Sequence, residues 1–136
     1  MPRKPRALVL DSWAVLAYLG GEATGQEVAD LITSAHETRI PMYMSIINAG
    51  EVWYILAREI SEADADKALA DLAGLGIELI DADWLLTRMA ATFKARHRMS
   101  YADCFAAALA KDRKSDLVTG DKEFKQVEGE VTVRWL

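Results

Sequence analysis

The sequence is poor in the residues that mark secreted, thiolate-metal and membrane proteins. Its 136 residues include one cysteine, two histidines and three prolines. A single cysteine permits no internal disulfide and no cysteine-based metal site. Trp13–Leu19 is among the longest apolar runs and falls far short of the roughly 18 residues that span a membrane. Ala7–Leu10, after the basic start, is too short for a signal-peptide core. These absences predict a cytoplasmic protein with no membrane attachment.

The remaining composition is that of an ordinary globular protein, with 51% hydrophobic and 27% charged residues. The length fits one domain. The net charge of −5, from 16 basic and 21 acidic residues, argues against nucleic-acid binding by bulk charge. The charge is uneven, however, because residues 84–114 hold seven basic and two acidic residues. The basic stretch Arg88–Arg98 inside this segment either contacts an anionic partner or is a solvated helix end that suits its dipole.

Short apolar runs alternate with helical patterns along the whole chain. Five runs read as strands: Ala7–Leu10, Pro41–Ser45, Ile77–Ile80, Leu117–Thr119 and Val131–Leu136. Six segments have helical spacing, followed by a helical turn around Phe124: Ser12–Leu19, Gln26–Ala35, Ile46–Ile60, Ser61–Gly74, Asp83–Arg98 and Ser100–Asp112. Strands that alternate with helices predict an α/β protein with a central, mostly parallel sheet of about five strands flanked by helices.

Four acidic residues fall where this fold would place its ligand site. Asp11 follows the first strand and Asp121 follows the fourth. Glu51 lies one turn into the helix after the second strand, and Asp103 is the fourth residue of Ser100-Tyr-Ala-Asp103. In an open parallel sheet, ligands bind beyond the carboxyl ends of the strands. A helix that follows a parallel strand begins at that same edge. The fold prediction therefore brings all four acids together.

Carboxylates placed this close raise one another's pKa values unless a cation neutralises them. Mg²⁺ and Mn²⁺ prefer oxygen ligands and assist phosphodiester cleavage. Asn48 lies one turn before Glu51 on the same helix face, and Thr119 points the same way as Asp121 on an extended segment. Both can support the acids by hydrogen bonds.

Local structure offers each acid another explanation. Asp11 is placed to cap the following helix, and Asp103 is the acid of a Ser-x-x-acid capping box on Ser100. Asp121 can belong to a Gly-Asp turn. Glu51 has the weakest structural explanation, because its neighbours in the helix are apolar. What favours a common role is the placement of all four at one edge.

At this point the motifs resemble a known family. Val9-Leu-Asp-Ser12, Ser45–Val52, Ser100-Tyr-Ala-Asp103 and Leu117–Phe124 occur in the order found in the PIN domain. Within that family the chain is most similar to VapC-type toxin ribonucleases of bacterial type II toxin–antitoxin pairs. The resemblance covers essentially the whole chain and implies a single PIN domain over residues 1–136 with a flavodoxin-like, three-layer fold.

The resemblance also implies an activity and its partners. It implies a Mg²⁺- or Mn²⁺-dependent endoribonuclease that cleaves RNA with a metal-activated water, works as a homodimer and is silenced by an antitoxin. Carried across by position, the catalytic, metal-binding acids are Asp11, Glu51, Asp103 and Asp121. The supporting polar residues are Asn48, Thr119 and Ser12. One position departs from the pattern, since Trp13 replaces a residue that is often small and polar.

Two other functions remain as alternatives. One is a non-catalytic PIN-fold module that binds a protein, although such a module has no need of four mutually repelling carboxylates. The other is a receiver-type phospho-acceptor domain, which should carry adjacent acids after its first strand and a lysine after its last. Here Leu10 precedes Asp11, and no lysine follows Val131.

Overall fold

The computed structural model describes residues 4–21 and 23–136, so residues 1–3 and 22 of the predicted 1–136 domain lie outside the described residues. The described chain forms five strands: β1 (Leu8–Leu10), β2 (Met42–Ser45), β3 (Ile77–Ile80), β4 (Asp116–Thr119) and β5 (Val133–Trp135). It also forms six α-helices: α1 (Ser12–Leu19), α2 (Ala23–Thr38), α3 (Ile46–Glu59), α4 (Glu62–Gly74), α5 (Trp84–Arg96) and α6 (Tyr101–Arg113). A 3₁₀ helix, Lys122–Val127, follows β4.

The strands form one sheet in the order β3-β2-β1-β4-β5. Every neighbouring pair is parallel. The predicted class, an α/β fold with a central parallel sheet, is therefore confirmed. The order reverses between β1 and β4, which makes their carboxyl ends the topological switch point where ligands bind in such sheets.

Helices cover both faces of the sheet, and successive side chains of β1 pack against opposite helical layers. Leu8 and Leu10 pack into a core with α1, α2, α3 and α4, whereas Val9 packs into a second core with α5, α6 and the 3₁₀ helix. Strands buried on both faces need continuous apolar runs. This requirement explains why short apolar runs in the sequence correctly predicted the strands.

The predicted elements differ from the observed ones mainly at their ends. Asp83 was expected inside α5, but it is the N-cap, and its carboxylate accepts a hydrogen bond from the Leu86 N–H. β5 is shorter than Val131–Leu136 and covers Val133–Trp135. Among the described residues, no helix has the length and apolar character needed to cross a membrane.

Candidate active site

Asp11 directly follows β1 at the switch point and is almost completely buried, with 1% of its surface exposed. Its Oδ1 atom accepts a hydrogen bond from the Ala14 N–H at 2.8 Å and caps α1. Its Oδ2 atom accepts a hydrogen bond from the Thr119 hydroxyl. Capping therefore accounts for one carboxylate oxygen only. The other oxygen is held by a strand that lies more than a hundred positions further along the chain.

Thr119 joins the two central strands at their carboxyl ends. Its buried hydroxyl donates to Asp11 and accepts a hydrogen bond from the Asp121 N–H at 3.0 Å. Asp121 in turn caps the 3₁₀ helix, because its Oδ1 atom accepts from the Glu123 N–H at 3.0 Å. One hydroxyl thus orients two acids that the sequence separates widely.

The first turn of α3 supplies the third element of the site. Ser45 caps this helix directly after β2, so its first turn starts at the carboxyl edge of the sheet. Asn48 is fully buried, and its amide group donates to the Ala102 carbonyl in α6 at 3.1 Å. The Ser12 hydroxyl donates to the Asn48 carbonyl at 3.3 Å. These two contacts tie α3 to α1 and α6 around the acids.

One polar atom in this arrangement has no protein partner. The Oδ1 atom of Asn48 is buried and accepts no hydrogen bond among the described residues. A buried acceptor left without a partner costs about 1–3 kcal/mol. The atom is therefore suited to a water molecule or to the hydration shell of a bound ion.

The carboxylates of Asp103, Asp121 and Glu123 come closest together. Their oxygen atoms lie within 4.8 Å of one another, and the three residues form a group able to hold a metal ion. Asp103 and Asp121 were predicted for the site, but Glu123 was not. The available signal was its position two residues after Asp121, inside the turn that Asp121 caps.

Burial and mutual repulsion set the protonation of two acids. Burial is the largest cause that raises the pKa of Asp11 to about 7, opposed by its hydrogen bonds to Thr119 and Ala14. Burial also raises the pKa of Asp103 to about 7, and the charge of Asp121 is the next largest cause. A bound cation would favour the ionised forms of both.

A cleft of about 380 Å³ opens over these acids. Its lining includes the acids Glu51, Asp103, Asp121 and Glu123 together with Ser12 and Trp13. No histidine, lysine or cysteine is among its described lining residues. A larger cavity of about 630 Å³ lies between α1, α2 and α4. Its described lining contains a single acid, Asp71, compared with four in the cleft. The four acids in its lining, and not its volume, identify the acidic cleft as the candidate site.

The structure thus brings together every residue predicted for the site. The four predicted acids lie in or beside the cleft, and the electrostatic neighbours of Asp11 include Asp103 and Asp121. Of the three predicted supporting residues, Thr119 bonds the acids directly, whereas Ser12 and Asn48 bond backbone carbonyls of α3 and α6. Cys104, next to Asp103, is fully buried in the core of α6 and is not among the described lining residues of the cleft.

With this geometry in place, comparisons with known proteins identify the class. The model of the PIN domain matches residues 8–130. The chain therefore belongs to the PIN domain family. A comparison with curated protein sequences gives no match.

Solved structures of VapC proteins share the fold across their whole length. VapC20 from Mycobacterium tuberculosis, described as a sarcin-ricin loop cleaving toxin, has a TM-score of 0.70 at 21% identity, with 94% of this chain and 99% of that chain covered. VapBC2 from Rickettsia felis, bound to a fragment of its promoter DNA, has a TM-score of 0.75 at 17% identity, with 96% and 98% covered. VapBC-1 from nontypeable Haemophilus influenzae has a TM-score of 0.72 at 14% identity, with 95% and 97% covered.

Proposed function

We propose that this protein is a divalent-metal-dependent endoribonuclease, the toxin of a type II toxin–antitoxin pair that acts in the cytoplasm. The observation that supports this most strongly is the convergence of acids from β1, α3, α6 and the turn after β4 on one cleft. Membership of the PIN domain family and the fold shared with VapC toxins support the same activity.

The residues present fit a hard divalent cation. Asp11, Glu51, Asp103 and Asp121 would hold one or two Mg²⁺ or Mn²⁺ ions, with Glu123 available as a further oxygen ligand. Oxygen donors are what these ions prefer. Each oxygen of Asp11 keeps a free lone pair beside its hydrogen bond, and the unpartnered Oδ1 of Asn48 is suited to a water molecule that such ions retain. A bound ion would polarise the phosphodiester and lower the pKa of water.

The chain's own residues position the acids and accept the proton that the attacking water loses. Thr119 fixes the Asp11 carboxylate and the Asp121 backbone, and Asn48 and Ser12 hold α3 against α6 and α1. The described lining of the cleft offers no histidine as a base. Proton acceptance from water therefore falls to the carboxylates.

The basic stretch at the end of α5 would contact the RNA backbone. Lys94, Arg96 and Arg98 are exposed and lie two to six positions before Ser100, the N-cap of α6 that lines the cleft. The Gln126 side chain bonds both the N–H and the carbonyl of Arg98 and so joins this segment to the 3₁₀ helix. Exposed cations on the segment that leads into the cleft can bind phosphates that flank the cleaved bond.

Two protein partners belong to the proposal, a second copy of the chain and an antitoxin. Large apolar side chains are exposed at the start of α5, where Trp84 and Leu85 are 70% and 74% exposed, and along α3 and its end, at Ile47, Tyr54 and Ile60. Contiguous exposed apolar patches mark protein interaction sites, and we assign these side chains to the two proposed interfaces. Light scattering of the purified chain alone and with its antitoxin would measure both assemblies, and a monomer at all concentrations would contradict the homodimer.

The activity can be tested with a matched pair of capping aspartates. Asp11 and Asp83 cap α1 and α5 through equivalent hydrogen bonds of 2.8 and 2.9 Å, but only Asp11 reaches the cleft acids. We expect Mn²⁺-dependent cleavage of RNA that a chelator abolishes. Asp11→Asn should reduce the rate by about 100-fold or more, whereas Asp83→Asn should stay within about twofold of wild type.

Cleavage that survives both the chelator and Asp11→Asn would contradict the mechanism. Calorimetric titration with Mn²⁺ gives an independent measurement. No binding of divalent ions, combined with tight binding of a protein partner, would favour the non-catalytic module instead.

A further inference from the structure

Trp13 is the residue of the cleft that the acids do not explain. It lies two positions after Asp11 on α1 and is 38% exposed, whereas its neighbours Ser12, Ala14 and Val15 are buried. Its side chain lines the same cleft as Asp103 and Asp121. An indole ring on this side of the helix contributes little to either core. Its position therefore calls for a function at the cleft.

The ring is seated on the backbone next to Asp121. An ideal Cβ built on Gly120 would lie 2.3, 2.5 and 2.7 Å from the Cη2, Cζ3 and Cζ2 atoms of Trp13. Such similar distances to three adjacent ring atoms place Gly120 under the face of the ring, because a point beyond the edge would be clearly farther from the two flanking atoms. Only glycine allows this approach, so one face of the indole is supported by the main chain.

The polar end of the ring is also available. The indole N–H groups of Trp53 and Trp135 donate to the carboxylates of Asp66 and Glu128. The N–H of Trp13 has no partner among the described residues. A large aromatic surface, supported on one side and partly open on the other, thus stands beside the carboxylates with a free donor.

We infer that Trp13 is a stacking platform for the nucleobase next to the cleaved phosphate. This inference rests on the proposed ribonuclease function and identifies its substrate as single-stranded RNA at that position. A nucleotide presents a charged phosphate and an uncharged aromatic base side by side. The phosphate would meet the cation held by the acids, and the base would meet the indole face of Trp13. Stacking on an aromatic side chain requires an unpaired base and tolerates different base identities.

The test combines protein variants with substrates that lack single bases. An end-labelled single-stranded RNA of mixed sequence is first cleaved by the wild-type protein with Mn²⁺ to locate the cut. The same RNA is then made with an abasic nucleotide at each position around that cut. Wild type should lose about 5- to 100-fold in kcat/KM when one particular neighbouring base is removed.

Trp13→Leu and Trp13→Phe separate stacking from simple packing. Trp13→Leu should lose a similar factor on the intact RNA and then be insensitive to removal of that base. Trp13→Phe keeps an aromatic face and should retain part of the sensitivity. Thermal unfolding and Mn²⁺ titration of all three proteins show that the fold and the metal site are preserved.

The possible failures are distinguishable. If wild type cleaves no RNA with Mn²⁺, the ribonuclease function is wrong and the role of Trp13 is overturned with it. If wild type cleaves RNA but Trp13→Leu has the same abasic profile as wild type, only the role of Trp13 is overturned. In that second case, weaker binding of an antitoxin by Trp13→Leu would assign the ring to a protein contact.

Discussion

The starts of α4 and α6 carry the same local motif in two different environments. Each helix is capped by a serine whose hydroxyl accepts a hydrogen bond from the N–H of an aspartate three residues later, Ser61 with Asp64 and Ser100 with Asp103. Asp64 is exposed, and its carboxylate bonds the Ser61 hydroxyl at 2.7 Å. Asp103 is partly buried among other acids, and its pKa is raised to about 7. The same capping geometry thus leaves one aspartate on the surface and places the other among the acids of the cleft.

Catalysis should separate the two aspartates most strongly. We expect Asp103→Asn to lower RNA cleavage by about 100-fold or more, because it would remove a negative charge from the proposed metal site. Asp64→Asn should change cleavage by less than about twofold, because this residue lies on the surface of another helix. Initial rates with saturating Mn²⁺ measure both, and equal losses in the two variants would mean that Asp103 acts only as a helix residue.

The pH dependence of stability should separate them next. Folded Asp103 and Asp11 keep their protons up to pKa values of about 7, whereas aspartates in the unfolded chain lose them near pH 4. Between these values the folded state binds more protons, so both groups make the free energy of unfolding fall as the pH rises. Without metal, Asp103→Asn should therefore be more stable than wild type at pH 8 by about 1–2 kcal/mol, a figure reduced for the partial exposure of the group.

Urea unfolding in chelator at pH 5 and pH 8 measures this difference. Asp64→Asn, the matched substitution at an exposed helix start, serves as the control. If Asp103→Asn keeps the pH slope of wild type, Asp103 does not have a raised pKa.

The two serines give the smallest contrast. Ser61→Ala and Ser100→Ala each remove a capping acceptor and should cost about 1 kcal/mol of stability. Only Ser100→Ala should also lower cleavage, by about 3- to 10-fold, because the orientation of Asp103 depends on the first turn of α6. A loss of cleavage in Ser61→Ala, at a temperature where the protein stays folded, would contradict this distinction.

The elements of the fold could be predicted from the sequence, but their arrangement in the sheet could not. The strands and helices were predicted because burial on both faces leaves continuous apolar runs, as in Leu8–Leu10, and because Ser61 and Ser100 carry recognisable capping motifs. The order of the strands was not predicted, because it depends on pairings between distant segments. The meeting of Asp11 with Asp121 followed only from the general rule that parallel strands end at one edge.

Within the site, the sequence pattern did not predict side chains whose positions depend on tertiary contacts. Glu123 was missed because an acid in an exposed turn looks like any surface residue until the turn is placed beside Asp103. The seat of Trp13 on Gly120 joins residues more than a hundred positions apart and has no local signature. The catalytic and metal-binding roles of the four predicted acids stay predictions, whereas their common location is now described.

The hydrogen bonds of Thr119 have a consequence for the timing of activity during protein synthesis. A ribosome that has completed residues 1–100 has produced Asp11 and Glu51 but neither Asp103 nor Asp121. The Oδ2 atom of Asp11 also lacks its partner until β4 has been made and has paired with β1. The acidic cleft can therefore form only after β4 and the turn that carries Asp121 have left the ribosome. The proposed nuclease site would stay incomplete on the nascent chain until that turn has been made.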